Sequence, residues 1–201
     1  HQITAAQVFN VPPEKVNPWM RRIGKTLNFG VIYGMGARAF SKTSGLPLNK
    51  AEGFVKEYFS DFPKIREWQE KTKSEAKTLG FVTNLNGRRR WFLNAYASEG
   101  ATTHEIERAA INMPIQSLGA DIIKLAMIKS FEIIKKEGWL HSKAKLLLTI
   151  HDELLFEISD DILKKAKDKL KEMMEGVYPL NIPLKVEVKN GKNWGEMKKY
   201  E

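Results

Sequence analysis

At 201 residues the chain is long enough to bury a core and to hold one large domain or two small ones. With 42% hydrophobic and 28% charged residues it has a globular composition, and no apolar run reaches the roughly 20 residues that a membrane-spanning helix needs. Cysteine is absent, which excludes disulfides and thiolate metal sites and fits a cytosolic setting; a formal net charge of +9 fits an anionic partner and equally a lysine-rich solvated surface. The first half is patterned for helices. Asn17-Pro18 pairs an N-cap with a first-turn proline, and a helix is predicted from there to about Tyr33. Asn49 is predicted to cap a second helix, Lys50 to Phe59, and Phe62-Pro63 leads into a third, Lys64 to Thr78, stopped by Gly80. In FVTNLNGRRRWF two β-rich ends flank Asn86-Gly87, a hairpin signal. A long helix follows from about Ala101 to Lys136, broken or kinked at Pro114. KAKLLLTI and ELLFEI are predicted strands meeting at His151-Asp152. A helix over Asp161 to Val177 and a last strand, Leu184 to Val188, complete the order. Helices first, then strand, strand, helix and strand give an α+β fold in two subregions.

LLLTIHDELLFEI, Leu146 to Ile158, sets His151, Asp152 and Glu153 side by side inside an apolar run. Burying an unpaired carboxylate costs several kcal/mol or more, so the fold must give these groups water or a cation. Either they form a solvated turn between two strands or they stand at the floor of a site that holds a metal.

MRRIGKTLNFGVIYGMG is the richest stretch. Arg21, Lys25, Phe29 and Tyr33 are spaced by four, so on a helix they share one broad face. Two cations lie toward the N-terminal end, where the helix dipole is also positive, which suits a polyanion such as a triphosphate. Phe29 offers a flat face to a base or sugar, and Gly30 and Gly34 allow close approach of a backbone or ligand. The same spacing also describes an ordinary amphipathic helix with a solvated basic end. Arg88, Arg89 and Arg90 suit a phosphate backbone or a solvated turn alike. Asn112 and Gln116 flank Pro114, where side chains can satisfy freed backbone groups. His1, His104 and His141 form no recognisable metal set.

RRIGKTLNFGVIYG resembles the motif of the family A DNA polymerases, the bacterial DNA polymerase I type: an Arg, a Lys four on, then Asn-Phe-Gly and Tyr-Gly. TIHDELLFEI is similar to the family's His-Asp-Glu palm motif, and NMPIQSLGADIIKLAM to the helix between them. ITAAQVFNVP and VEVKNGKNWGEM extend the resemblance over essentially the whole chain. It implies a DNA-directed DNA polymerase, a nucleotidyltransferase of replication and repair that adds dNTPs to primer-template DNA by two-metal phosphoryl transfer with Mg²⁺. It implies a helical fingers subdomain over residues 1–142 and the C-terminal part of a β-sheet palm over 143–201. The implied setting is cytoplasmic, beside the nucleoid, or a host cytoplasm if the source is viral. Asp152 would be a metal ligand and Glu153 a nearby, less direct carboxylate. His151 would lie against the primer terminus. Arg21 and Lys25 would grip the triphosphate, Lys25 as a catalytic group as well. Phe29 would pack on sugar and base, a Phe there implying discrimination against nucleotides without a 3′-hydroxyl, and Tyr33 would stack at the template position. Arg108, Asn112, Gln116 and His151 would meet minor-groove acceptors, which every base pair presents. Arg89 and its neighbours would meet the DNA backbone.

The family also requires a second metal-binding aspartate, from a stretch of the form Asp-Tyr-Ser-x-Ile-Glu-x-Arg, and none occurs here. HQITAAQ resembles the residues that follow that stretch, and the chain starts at His1 rather than Met. The expectation is a C-terminal fragment, inactive alone, completed by an N-terminal polymerase portion or subunit that supplies the other aspartate. The alternative is a non-catalytic DNA-binding module derived from a polymerase. Two smaller departures are SLGAD after Gln116 and Gly24, where a helix prefers alanine by up to about 1 kcal/mol.

Overall fold

A computed structural model describes residues 1–93, 96 and 102–200. Contacts divide the chain into two units, His1–Gln116 and Ser117–Glu201. The fold is α+β, rich in helix with small sheets. Among the described residues no helix is long and apolar enough to cross a membrane.

The first unit opens with helices α1 (Gln2–Phe9), α2 (Pro18–Ile32), α3 (Ala37–Ser44), α4 (Leu48–Asp61) and α5 (Pro63–Thr78). Asn17 caps α2 as its sequence position predicts, its side-chain oxygen accepting from the Met20 N–H at 2.9 Å. Asn49 does not cap α4. Pro47 holds an extended conformation and its carbonyl accepts the first helical bond, from Ala51, so the helix begins two residues early and Asn49 lies inside its first turn. The core of this region is Ile23, Leu27 and Val31 of α2 with Val8, Phe40, Ala51 and Tyr58.

Gly24 belongs to this packing, and its cost in helix propensity has a cause. A Cβ there would lie 2.7 Å from the His1 carbonyl oxygen and 2.9 Å from the Ala5 nitrogen, both backbone of the crossing segment. Gly24→Ala gains about 1 kcal/mol of helix propensity but must push α1 away. We expect a net loss of about 1–3 kcal/mol, as for other overpacked sites, read from the midpoint of urea unfolding. An unchanged or raised midpoint would refute the close approach.

Strands β1 (Phe81–Thr83) and β2 (Arg89–Trp91) form the expected antiparallel hairpin, Phe81 opposite Trp91 and Thr83 opposite Arg89. Its five-residue loop is organised by Asn84, whose side-chain oxygen accepts from the Asn86 and Arg88 N–H groups, with Gly87 at φ 81°. Val82 and Phe92 turn inward onto Ala76, Ile106, Ala110 and Met113. Helix α6 (Thr103–Lys136) is continuous through Pro114, which does not break it; its expected start at Ala101 lies outside the described residues. A capping box fixes its entry: the Glu105 carboxylate accepts from the Thr102 N–H and hydroxyl, and the Thr102 hydroxyl oxygen accepts from the Glu105 N–H.

In the second unit, β3 (Ala144–Ile150) pairs antiparallel with β4 (Glu153–Ile158). Leu146 faces Phe156 while Leu148 faces Leu155, so Leu147 is an extra residue, a bulge in β3. Ala144, Phe156 and Ile158 pack on Ile134, Trp139, Ile162 and Ala166. Helix α7 (Leu163–Glu175) starts later than expected because Asp160–Ile162 first form a 3₁₀ turn. The predicted strand Leu184 to Val188 does not form. The Val186 N–H is taken by the Glu175 carboxylate at 3.1 Å, and pairing begins only at β5 (Lys189–Asn190) with β6 (Lys198–Lys199).

Glu137, just past α6, binds Lys165 and Lys169 of α7, both at 2.7 Å. Hydrogen bonds from the two ammonium groups lower its pKa from the ordinary 4.5 to about 2. A carboxyl with a depressed folded pKa stabilises the fold fully above its unfolded value, and that contribution is lost as pH falls from about 4.5 toward 2. Glu137→Gln should flatten this acid limb of a stability–pH curve, and a limb of unchanged slope would remove Glu137 from it.

Candidate functional site

Within the first unit, helix α2 presents candidate residues because its two faces differ. Ile23, Leu27 and Val31 are buried, while Arg21, Lys25 and Phe29 on the other side are exposed. The Lys25 Nζ stands 5.9 Å from the Phe29 ring centroid, and the His1 imidazole tilts against the same ring with centroids 5.2 Å apart. His1 is in turn placed by the Asn28 side-chain amide, 3.0 Å from its Nδ1. Two cations and one accessible aromatic ring thus form a row along a single helix face.

Tyr33, the fourth residue of the row, is half-buried at the C-cap of α2. Its phenolic oxygen accepts a 2.9 Å hydrogen bond from the Gln116 side-chain amide, 83 residues away. Gly34 follows at φ +78°, where a Cβ would meet the Ile111 Cδ1 at 3.1 Å and the Arg108 Cγ at 3.4 Å. Arg108, Asn112 and Gln116 recur every four residues and so share one face of α6. Gln116 and Arg108 therefore meet the end of α2. Asn112 is half-buried on the same helix.

Gln69 holds this junction together. It is 3% exposed, and its side-chain amide donates to the Val31 carbonyl at 2.6 Å and the Ile32 carbonyl at 3.0 Å. Those are the last carbonyls of α2, beyond the reach of its own helical N–H groups, and the Val31 carbonyl also accepts from the Gly34 N–H at 3.0 Å. Nothing in the sequence around Gln69 marks it, since the partners lie 38 and 37 residues away. Gln69→Leu should remove the side-chain donor from the Ile32 carbonyl and leave the Val31 carbonyl with the Gly34 N–H alone, destabilising the chain by about 1–3 kcal/mol. A denaturant midpoint equal to the parent's would show that water replaces the amide.

A separate candidate, within the second unit, is the turn between β3 and β4. Ile150 pairs with Glu153, leaving His151 and Asp152 as a two-residue loop, and all three polar residues are exposed. His151 takes φ 54°, the left-handed region that glycine usually fills in such loops. Strain of that kind persists only where the surroundings enforce it. Of the two explanations for the polar triplet, the solvated turn is met by the exposure of all three residues in this chain. That answer does not conflict with a metal. Among the described residues no three His, Asp or Glu side chains gather into a metal-sized cluster. Asp152 and Glu153 offer two hard oxygen donors at an open turn, which fits a cation such as Mg²⁺ that keeps waters and takes further ligands from phosphates.

Arg89, on β2, lies with its guanidinium carbon 4.6 Å from the Phe81 ring centroid, on the outer face of the hairpin.

Comparison with known proteins identifies relatives of the chain. A family model described as DNA polymerase family A matches residues 1–196. Over 198 residues the chain is 44% identical to "DNA polymerase I, thermostable" of Thermus filiformis, covering 98% of this chain and 23% of that protein. It is 37% identical over 196 residues to DNA polymerase I of Pseudomonas aeruginosa, covering 98% of this chain and 21% of that one. The chain thus spans under a quarter of the length of these relatives. Among solved structures it resembles the POL domain of Pol1 from M. smegmatis, in complex with DNA primer-template and dNTP, with a TM-score of 0.82 and 34% identity over 92% of this chain and 32% of that one.

Proposed function

The chain belongs to DNA polymerase family A, and from that premise we propose that it carries the nucleotide-gripping helix and one catalytic carboxylate of template-directed DNA synthesis. The observation that carries this reading is the exposed row of Arg21, Lys25 and Phe29 opposite a buried face of the same helix. A basic pair near a helix N-terminus binds polyphosphate, Arg by its planar fork and Lys as a point charge. The incoming dNTP sets its triphosphate on Arg21 and Lys25 and its sugar and base on Phe29, in the place His1 covers in the free chain. Tyr33 stacks at the template position. The Gln116 amide positions its hydroxyl, and with Arg108 and Asn112 it offers donors to minor-groove acceptors, which test the shape of a pair without reading its sequence. His151 abuts the primer terminus and Arg89 the DNA backbone.

Residues 1–142 serve as fingers and 143–201 as the C-terminal part of the palm. Primer-template DNA and dNTPs are the partners, as bound in the solved relative, and the setting is the bacterial cytoplasm. Asp152 would hold a divalent cation, most simply Mg²⁺, with Glu153 as a less direct carboxylate. When bound, that ion supplies stabilisation of charge on the attacking and leaving oxygens. The second carboxylate is supplied by polypeptide outside these 201 residues.

A reconstitution tests the proposal. The chain is mixed with a companion polypeptide carrying the Asp-Tyr-Ser-x-Ile-Glu-x-Arg stretch, with Mg²⁺, primed template and dNTPs. Extension by this completed enzyme, and by neither part alone, is the expected result. Binding to primed template with no extension in any mixture would favour the non-catalytic module.

A further inference from the structure

The β1–β2 hairpin has an inner face packed in the core and an outer face that, among the described residues, is not. Val82 is 1% exposed and Phe92 7% exposed in the core, whereas Trp91 is 55% exposed. The register puts Phe81 opposite Trp91 and Thr83 opposite Arg89, so these four side chains share the outer face. The Phe81 and Trp91 rings meet at 4.9 Å between centroids, and the Arg89 guanidinium lies over Phe81 at 4.6 Å. Leu85 at the loop tip is 77% exposed. Residues 80–93 include three arginines and no aspartate or glutamate.

An accessible indole beside a guanidinium, on a segment of uniformly positive charge, is what an unpaired nucleotide requires. Every base has a π-face that stacks on an aromatic ring, and the phosphate beside it needs a cation. A duplex cannot use such a platform without unstacking, because its bases already stack on each other. We infer that the outer face of this hairpin is a stacking surface for unpaired bases of single-stranded DNA, with Trp91 as the platform and Arg89 meeting the adjacent phosphate. The choice of DNA rests on the proposed function; the stacking chemistry rests on the hairpin itself.

The simpler role for the pair is to hold the hairpin together, since cross-strand aromatic pairs stabilise such strands. The two roles separate on substitution. Leucine keeps apolar contact with Phe81 but offers no ring, whereas phenylalanine keeps a ring.

The test uses the full chain with a sixteen-residue oligodeoxythymidylate, a blunt duplex of equal length and heparin as a polyanion without bases. The chain has five tryptophans, so the signal of Trp91 is the difference between the parent and Trp91→Phe. Saturable quenching by oligodeoxythymidylate that resides in this difference is the expected result. Trp91→Leu should weaken the single strand about tenfold, Trp91→Phe less than threefold, and duplex or heparin binding by less than twofold in either. Quenching equal in the parent and Trp91→Phe would overturn the inference even if the leucine variant misfolded. So would equal weakening of single strand, duplex and heparin, which marks a general basic patch. Primer extension is not read here: absent quenching leaves the polymerase reading standing, and quenching without extension in the completed enzyme would do the reverse.

Discussion

Asp152→Asn should lower primer extension by the completed enzyme on the order of 10³-fold, comparable to removing a principal electrostatic stabiliser of a transition state. That is about 4 kcal/mol of barrier. The substitution keeps the size of the side chain and its capacity for hydrogen bonds but removes the charge that makes it a hard oxygen donor. The fold should not register the change. Asp152 is exposed in a two-residue turn whose strands are fixed by the Ile150–Glu153 pair, and exposed substitutions of this kind move stability by about 0.5 kcal/mol or less. The sign of that small change should be positive, because removing one of two adjacent carboxylates relieves their repulsion when no cation lies between them. Glu153→Gln should cost less activity, since Glu153 is already the first residue of β4 and its neighbour leads into the turn. Extension rates and urea midpoints on the same samples separate the cases. Full activity of Asp152→Asn would return the stretch to an ordinary solvated turn.

The turn was legible because three polar residues interrupt two runs of leucine and isoleucine, and that contrast survives any detail of packing. The start of α2 was legible for a similar reason: Asn17 and Pro18 act on backbone groups two or three residues away. What the sequence hides is whatever depends on a distant partner. Gln69 and the end of α2, and Gln116 and Tyr33, are joined across 38 and 83 residues, and no local pattern announces either bond. Gly24 looks like a weak point in a helix until α1 is laid against it. The bulge at Leu147 sits in a run of three leucines, where a slip of one residue leaves the apolar pattern unchanged. Leu184 to Val188 fails in the opposite way. Its alternation suits a strand, but a strand also needs a neighbour for its N–H groups, and Val186 gives its own to Glu175. Local chemistry is readable one residue at a time; pairing is not.

Lys25→Ala should raise the KM for dNTPs in the completed enzyme by roughly 10- to 100-fold, because a hydrogen bond to a charged group is worth about 1.5–3 kcal/mol. Lys25 is exposed, and among the described residues its ammonium approaches the Phe29 ring at 5.9 Å. Truncation therefore opens no cavity, and alanine is at least as good a helix former. The loss should fall on the triphosphate and not on the duplex. Affinity for primed template, and the slope of that affinity against salt, should stay as in the parent, since the slope counts phosphates of the DNA neutralised by the protein. Lys25→Arg should recover part of the loss, as it restores the charge but spreads it over a planar fork of different reach. Arg21→Ala should show the same division between substrates with its own magnitude, since Arg21 lies one turn nearer the N-terminus of α2. A variant Lys25→Ala with parental dNTP kinetics would take the residue out of the nucleotide site. One that weakens template binding in step with dNTP use would mean that the basic end of α2 contacts DNA, and that the row from Arg21 to Phe29 is a backbone track and not a nucleotide grip.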